Sequence, residues 1–147
     1  MSAPQVVEIS AEETHPLRLA VLRATTTSKQ VVFPEDDFPG VVHLGVSVEG
    51  ELVAVSTWVP RPHHDQAAVQ LRGMATAARL QGTGLGGLLL ESGCRRALSA
   101  DLHVVWANAR DTALPFYLQH GFRVEGDGFL DATIGLPHHR VVRNLAP

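Results

Sequence analysis

The chain has 147 residues, 45% of them hydrophobic, a single cysteine and a formal net charge of -3 at pH 7. That length and apolar content suffice for one compact domain over residues 1–147 and fall short of two ordinary ones. A pI near 6.2 supplies no broad basic surface for nucleic acid, no stretch reaches the length of a membrane span, and Cys94 alone makes neither an internal disulfide nor a thiolate zinc cage. With no basic flank and apolar run at its start, the sequence reads as a soluble, cytoplasmic protein without nucleic-acid or membrane partners.

In chain order, Val6 to Ile9 is a short β-branched run, and Leu17, Leu19, Ala20, Val21 and Leu22 predict a short helix. A polar loop runs from Thr25 to Gly40. Val41 to Val48 and Leu52 to Val59 predict two antiparallel strands joined by a turn at Glu49-Gly50-Glu51. After the loop Pro60 to Gln66, Ala67 to Ala77 reads as a third strand, Gln81 to Gly87 as a glycine-rich loop and Leu88 to Leu98 as a helix. His103 to Ala107 predicts another strand and Thr112 to His120 another helix, stopped by Gly121 at its C′ position. Two shorter strands, Phe122 to Val124 and His139 to Val142, are expected in the tail, separated by turn-forming glycines and Pro137. The order predicts a mixed α/β domain around a central, largely antiparallel sheet.

The loop Gln81-Gly82-Thr83-Gly84-Leu85-Gly86-Gly87 stands between a strand and a helix. Glycines there let backbone amides converge on an anion without side-chain obstruction, and the unpaired amides and macrodipole of the following helix favour a pyrophosphate. The alternative is a connection whose glycines merely permit tight packing. Gly82, Gly84 and Gly87 also fit a dinucleotide-binding pattern, with Asp111 about 20 residues beyond. Against that reading, Arg79-Leu80-Gln81 separates the loop from its strand, and too little chain follows Asp111 to complete such a sheet.

Written as Q/R-x-x-G-x-G, the loop resembles motif A of the Gcn5-related N-acetyltransferases, with Gln81 in the first place and Gly84 and Gly86 as its glycines. The segment Gln70-Leu71-Arg72-Gly73-Met74-Ala75 looks like the fourth strand of the ElaA/YjcF-like branch of that superfamily. Trp106-Ala107-Asn108-Ala109-Arg110 looks like its fifth, and Ala113, Phe116-Tyr117 and Gly121-Phe122 repeat its A-x-x-F-Y-x-x-x-G-F pattern. The resemblance runs from about Leu17 to Leu145, including Asp36-Asp37 ahead of His43-Leu44 and Ile134 to His138. Arg110 replaces the asparagine of many members of the wider superfamily, and Leu136 is an extra residue between Gly135 and Pro137.

The resemblance implies an N-acetyltransferase moving acetyl from acetyl-CoA directly to a small-molecule or peptide amine acceptor, on a sheet whose fourth and fifth strands splay apart, flanked by about four helices. It places the pantetheine arm against Met74, Ala75 and Thr76 and near Asn108. The pyrophosphate falls on Gln81, Gly82, Thr83, Gly84, Leu85, Gly86 and Gly87, and Arg110 becomes a phosphate contact or a structural salt bridge. Tyr117, the only tyrosine, becomes the acid for the departing thiolate, being protonated at neutral pH with an ordinary phenol pKa of about 10. The general base is left among Asp131, His138, His43 and a water relay. No metal is expected, because adjacent histidines such as His63-His64 and His138-His139 should point apart and no Cys/His quartet exists. A homodimer follows only by family analogy.

Overall fold

β-branched runs punctuated by turn residues form seven strands: β1 Gln5–Ile9, β2 Val42–Val48, β3 Glu51–Pro60, β4 Val69–Thr76, β5 Val104–Arg110, β6 Arg123–Leu130 and β7 Pro137–Asn144. In the computed structural model, which describes residues 3–145, they make one sheet in the order β1-β2-β3-β4-β5-β7-β6. Neighbours pair antiparallel throughout except β4 and β5, which run parallel. The predicted β2–β3 hairpin closes through Glu49 and Gly50, whose φ angles of 52° and 80° match a turn that follows the strand twist.

Strand β6 extends well beyond the predicted Phe122–Val124. The glycines at 126 and 128 do not end it; the ladder with β7 shifts register between Glu125 and Phe129 and then resumes, with Phe129 opposite His138 and Leu130 opposite Pro137. A glycine inside a strand thus marks an irregularity where pairing continues, and that partner lies elsewhere in the chain.

Three α-helices occur among the described residues: α1 Ala11–Leu17, α2 Leu85–Ser99 and α3 Leu114–Gln119. Helix α2 begins three residues earlier than the apolar face predicts, directly at the glycine loop, with Gly84 as its cap in the left-handed conformation (φ 93°). Its Leu85, Leu89, Leu90, Cys94 and Ala97 pack on one face of the sheet against Leu44, Val53, Val105 and Val141. Each fully buried leucine there contributes about 1.5–3 kcal/mol. Gly93 lies over the Trp58 indole, where an added Cβ would stand 1.9 Å from a ring carbon.

Helix α1 starts earlier than the apolar run at Leu17. Ser10 accepts from the Glu13 amide and the Glu13 carboxylate accepts from the Ser10 amide, a reciprocal capping box. Pro16 offers no amide to the helical ladder, and the helix continues as a π-helical turn over Arg18–Leu22. Its buried face is polar: Thr14 and Arg18 are 0% exposed, while Leu19 is 48% exposed. The reason is a partner from the following loop. Arg18 donates through both terminal nitrogens to the Asp36 carboxylate at 2.8 Å each, and also to Thr57 Oγ1 and the Val31 carbonyl. The Phe33 ring lies under the guanidinium, 3.8 Å from centroid to Cζ. His43 joins the same network, with Nδ1 against Thr57 Oγ1 and Nε2 donating to the Asp36 carbonyl.

Burial alone would push the Asp36 carboxyl up. The Arg18 hydrogen bonds, the Phe33 amide and the charges of Arg18 and His43 outweigh that and leave it below its ordinary value. The resulting stabilisation is complete above the unfolded carboxyl pKa of about 3.9 and is lost as pH falls through the lower folded value. Replacing Asp36 with Asn strands Arg18 without its counter-charge and is expected to cost about 3–5 kcal/mol in urea denaturation at pH 7. The difference from the parent protein should narrow below about pH 4; a constant difference across that range would remove Asp36 ionisation as its source.

Candidate active site

The parallel pairing of β4 with β5 lasts for two residue pairs, Val69 with Val105 and Gln70 with Trp106. Beyond them the strands diverge. On its other side β4 remains paired with β3, but Val55 and Thr57 face Ala75 and Arg72, so β4 carries an extra residue at Gly73-Met74. Gly73 sits at φ 60°, and a Cβ on it would stand 2.9 Å from the Phe33 ring and 3.2 Å from Arg18 Nε. The bulge and the buried arginine network are therefore in contact, and glycine is required for both space and backbone conformation.

The opened fork holds a cleft of about 490 Å³, lined among others by Met74 on β4, Asn108 and Arg110 on β5, Tyr117 on α3 and His138 on β7. From Leu71 onward β4 has no strand on its β5 side, which leaves backbone groups there for a ligand to pair with. Gln81 closes the end of this free edge, its side-chain amide donating to the Thr76 carbonyl at 3.1 Å.

The glycines of the loop divide into two kinds. Gly82 and Gly84 have φ angles of 81° and 93° with nothing within 4 Å of an added Cβ, so their conformation opens the backbone to solvent. Gly86 and Gly87 are there for packing: added Cβ atoms would stand 3.2 Å from the Phe116 ring and 2.8 Å from the His120 ring. Close packing thus accounts for Gly86 and Gly87, and the open backbone of Gly82 and Gly84 leaves room for an anion. Thr83 Oγ1 donates to the Leu80 carbonyl, and the first-turn amides of α2 have no intrahelical acceptor. An open amide face at the start of a 15-residue helix fits a pyrophosphate, and the unpaired β4 edge fits an extended amide-bearing arm. The dinucleotide reading fails on the sheet, which has one parallel pair, and Asp111 is bonded to His139 Nδ1 at 2.6 Å.

Tyr117 is buried between Phe116 and Phe122, edge to face with each, and burial pushes its phenol well above the ordinary value. It stays protonated at any physiological pH. His138 is buried, stacks on Phe129 and places Nδ1 2.8 Å from the Leu136 carbonyl. A carbonyl only accepts, so Nδ1 carries the hydrogen and Nε2 is the basic nitrogen of the neutral ring. Asp131 also lines the cleft, but its Oδ1 accepts from the amides of Thr133 and Ile134. His43 is engaged at both ring nitrogens in the core network and is absent from the cleft lining.

Arg110 forms no salt bridge among the described residues. It donates to the Leu22 carbonyl instead, at the end of the π-helical turn and away from the glycine loop. Asn108 accepts from Arg140 Nε at 3.3 Å, which leaves its own amide hydrogens free. The expected divergence of His63 and His64 is also corrected. His64 adopts a left-handed φ of 52°, and both Nε2 atoms converge on Glu125 Oε1 at 2.9 and 3.0 Å. Their hydrogen bonds hold the Glu125 carboxyl below its ordinary value.

The sequence reading passes over Glu35, Arg23, Arg61 and Arg72, which line the same cleft. Glu35 Oε2 receives Arg61 at 3.2 Å and Arg72 closer still. Burial acts to raise the Glu35 carboxyl, but backbone and arginine bonding prevail and hold it low. No local pattern marks these residues; only the capping box at Ser10 would have lengthened the helix that carries Arg18.

A profile of the acetyltransferase (GNAT) family matches residues 7–122, and the chain belongs to that family. It is an acyltransferase, built on a fold that binds acyl-CoA. It is similar to the uncharacterized N-acetyltransferase YitI of Bacillus subtilis, with 29% identity over 89% of this chain and 90% of that one. In fold it is similar to ElaA of Escherichia coli, with a TM-score of 0.79 and 17% identity over 97% of this chain and all 100% of the other. It also resembles an aminoglycoside 6'-N-acetyltransferase complexed with coenzyme A, with a TM-score of 0.75 and 13% identity over 97% and 98% of the two chains.

Cys94 packs on α2, and burial pushes its thiol up to about 11, partly opposed by Arg143. It is protonated at neutral pH and does not line the cleft. Iodoacetamide labelling at pH 8 should be slow in the folded protein and fast after unfolding in urea; equal rates would show an accessible thiolate.

Proposed function

We propose that this protein transfers acetyl from acetyl-CoA directly to an amine in a ternary complex, with Tyr117 as the acid for the leaving thiolate. The observation that carries this reading is a buried, protonated tyrosine lining the same cleft as the unpaired β4 edge. Met74, Ala75 and Thr76 would hold the pantetheine arm as a neighbouring strand would, with Asn108 contributing from β5. Gln81 through Gly87 would hold the pyrophosphate, Gly82 and Gly84 by their open backbone and Gly86 and Gly87 by letting α2 approach α3. When bound, acetyl-CoA supplies the activated thioester.

The residues around the cleft then have separate tasks. His138 Nε2 is the basic nitrogen available there, and it takes a proton from the attacking amine directly or through one water. The free amides of β4 offer donors to the carbonyl oxygen as negative charge develops on it. Tyr117 gives its phenolic proton to the sulfur as the carbon–sulfur bond breaks and the carbon–nitrogen bond forms. Proton loss at nitrogen and gain at sulfur leave the products acetyl-amine and free coenzyme A thiol.

Replacing Tyr117 with Phe is expected to lower kcat about 100-fold while acetyl-CoA affinity, measured by calorimetry, changes little. An unchanged rate on a working acceptor would remove it as the acid. Because burial raises the phenol, kcat of the parent protein should show no loss of this acid up to pH 10. Titration with acetyl-CoA and NAD tests the cofactor: binding of NAD without binding of coenzyme A would overturn the assignment.

A further inference from the structure

The charges lining the cleft do not balance. Four guanidinium groups, Arg23, Arg61, Arg72 and Arg110, meet the carboxylates of Glu35 and Asp131. Glu35 Oε2 is shared by Arg61 and Arg72, which leaves Arg23 and Arg110. Arg23 is 7% exposed. It donates through Nε to the Gln30 carbonyl at 2.8 Å and through Nη1 to the Leu22 carbonyl at 3.4 Å. Arg110 donates to that same Leu22 carbonyl, so two cations converge on one neutral oxygen. Among the described residues, neither has a carboxylate within 4.0 Å.

Such a pair is unfavourable by itself. Like charges in a poorly solvated site repel more strongly than in water, and neither group recovers its desolvation from a counter-ion. Burial first, and for Arg23 the neighbouring Arg110 next, pushes both guanidinium groups below their ordinary pKa; Asp131 is the acidic group that opposes this in each. Asp131 opposes the repulsion only at longer range: it forms no ion pair with either arginine among the described residues, and its Oδ1 is held by two loop amides. No residue of the glycine loop lines this cleft, so the arginine pair is not part of the proposed phosphate cradle.

We infer that the acceptor is an amine that also carries a carboxylate, an amino acid or a close relative, held through that carboxylate by Arg23 and Arg110. A planar carboxylate matches the fork of a guanidinium and supplies the direct counter-charge that this pair lacks among the described residues. The inference rests on the acetyl-transfer reading above, which concerns the opposite partner of the reaction.

The test compares the protein amino acids with matched amines that lack the carboxylate, such as tyrosine with tyramine and histidine with histamine, following thiol release from acetyl-CoA. Within at least one pair, kcat/KM for the amino acid should exceed that for its plain amine by about 10-fold or more. Replacing Arg110 with Gln should collapse that preference by a similar factor, and R110K should retain part of it. R23Q provides the second variant. A purely structural defect would lower both substrates together and leave their ratio unchanged. Plain amines used as well as or better than amino acids, or a ratio unaffected in R110Q and R23Q, would overturn the inference and leave acetyl transfer standing. Absence of thiol release with either set, while acetyl-CoA still binds, would instead overturn the acetyl-transfer reading and this inference with it.

Discussion

The early end of the pairing between β4 and β5 is the constraint on which the site depends. Two residue pairs hold the strands together; beyond them each keeps a partner only on its outer side. An interior strand with a free edge is normally a liability, because unpaired backbone groups buried from water lose their hydrogen bonds. Here that edge opens on the cleft, where an extended ligand would pair with it. The bulge at Gly73-Met74 re-aims β4, and the Phe33 ring and Arg18 guanidinium sit against it. The binding edge and the core are therefore one mechanical unit.

That arrangement explains why so much charge is buried on the side of the sheet that carries α1. An arginine fully withdrawn from water needs its charge paired, and Asp36 supplies that through two parallel contacts; the Val31 carbonyl and Thr57 Oγ1 accept from the same two terminal nitrogens, and Nε has no partner among the described residues. Thr57 and His43 extend the network into β2 and β3. The loop between α1 and β2 is thus anchored through Asp36 and Phe33, which fixes the cleft wall bearing Glu35. The neighbouring Arg23 and Arg110 follow the opposite rule, being desolvated without a carboxylate in contact. The contrast is between a buried arginine whose charge is paired within the chain and two that have no carboxylate in contact among the described residues.

The proposed coenzyme and acceptor sites would also differ in how they recognise molecules. For the coenzyme the means would be largely backbone: amides at the start of α2, glycines with left-handed φ, and a strand edge. These depend on conformation more than on side-chain identity. Around the proposed acceptor the means would be side chains drawn from the end of the π-helical turn, the loop after it, Arg61 just past β3, β4, β5 and the 131–134 turn. Such a constellation can be altered residue by residue without disturbing the fold.

Local chemistry determined the order of strands and helices, the β2–β3 hairpin, the glycine loop and the segment bearing Asn108 and Tyr117. In each, the signal lies within a few neighbouring residues: β-branching, turn conformation, or the spacing of a motif. The tertiary structure decided what distant partners impose. It buried Arg18 and exposed Leu19 on a helix whose apolar residues predict the reverse, because Asp36 arrives from another segment. It carried β6 past its glycines because β7 continues the ladder, and it brought His63 and His64 together through a left-handed residue and Glu125. It also gave Gly86 and Gly87 a packing role distinct from that of Gly82 and Gly84. The physical reason is common to these cases: backbone propensity acts over a few residues, whereas the free energy of burying a charge or completing a sheet is set by groups far apart in sequence.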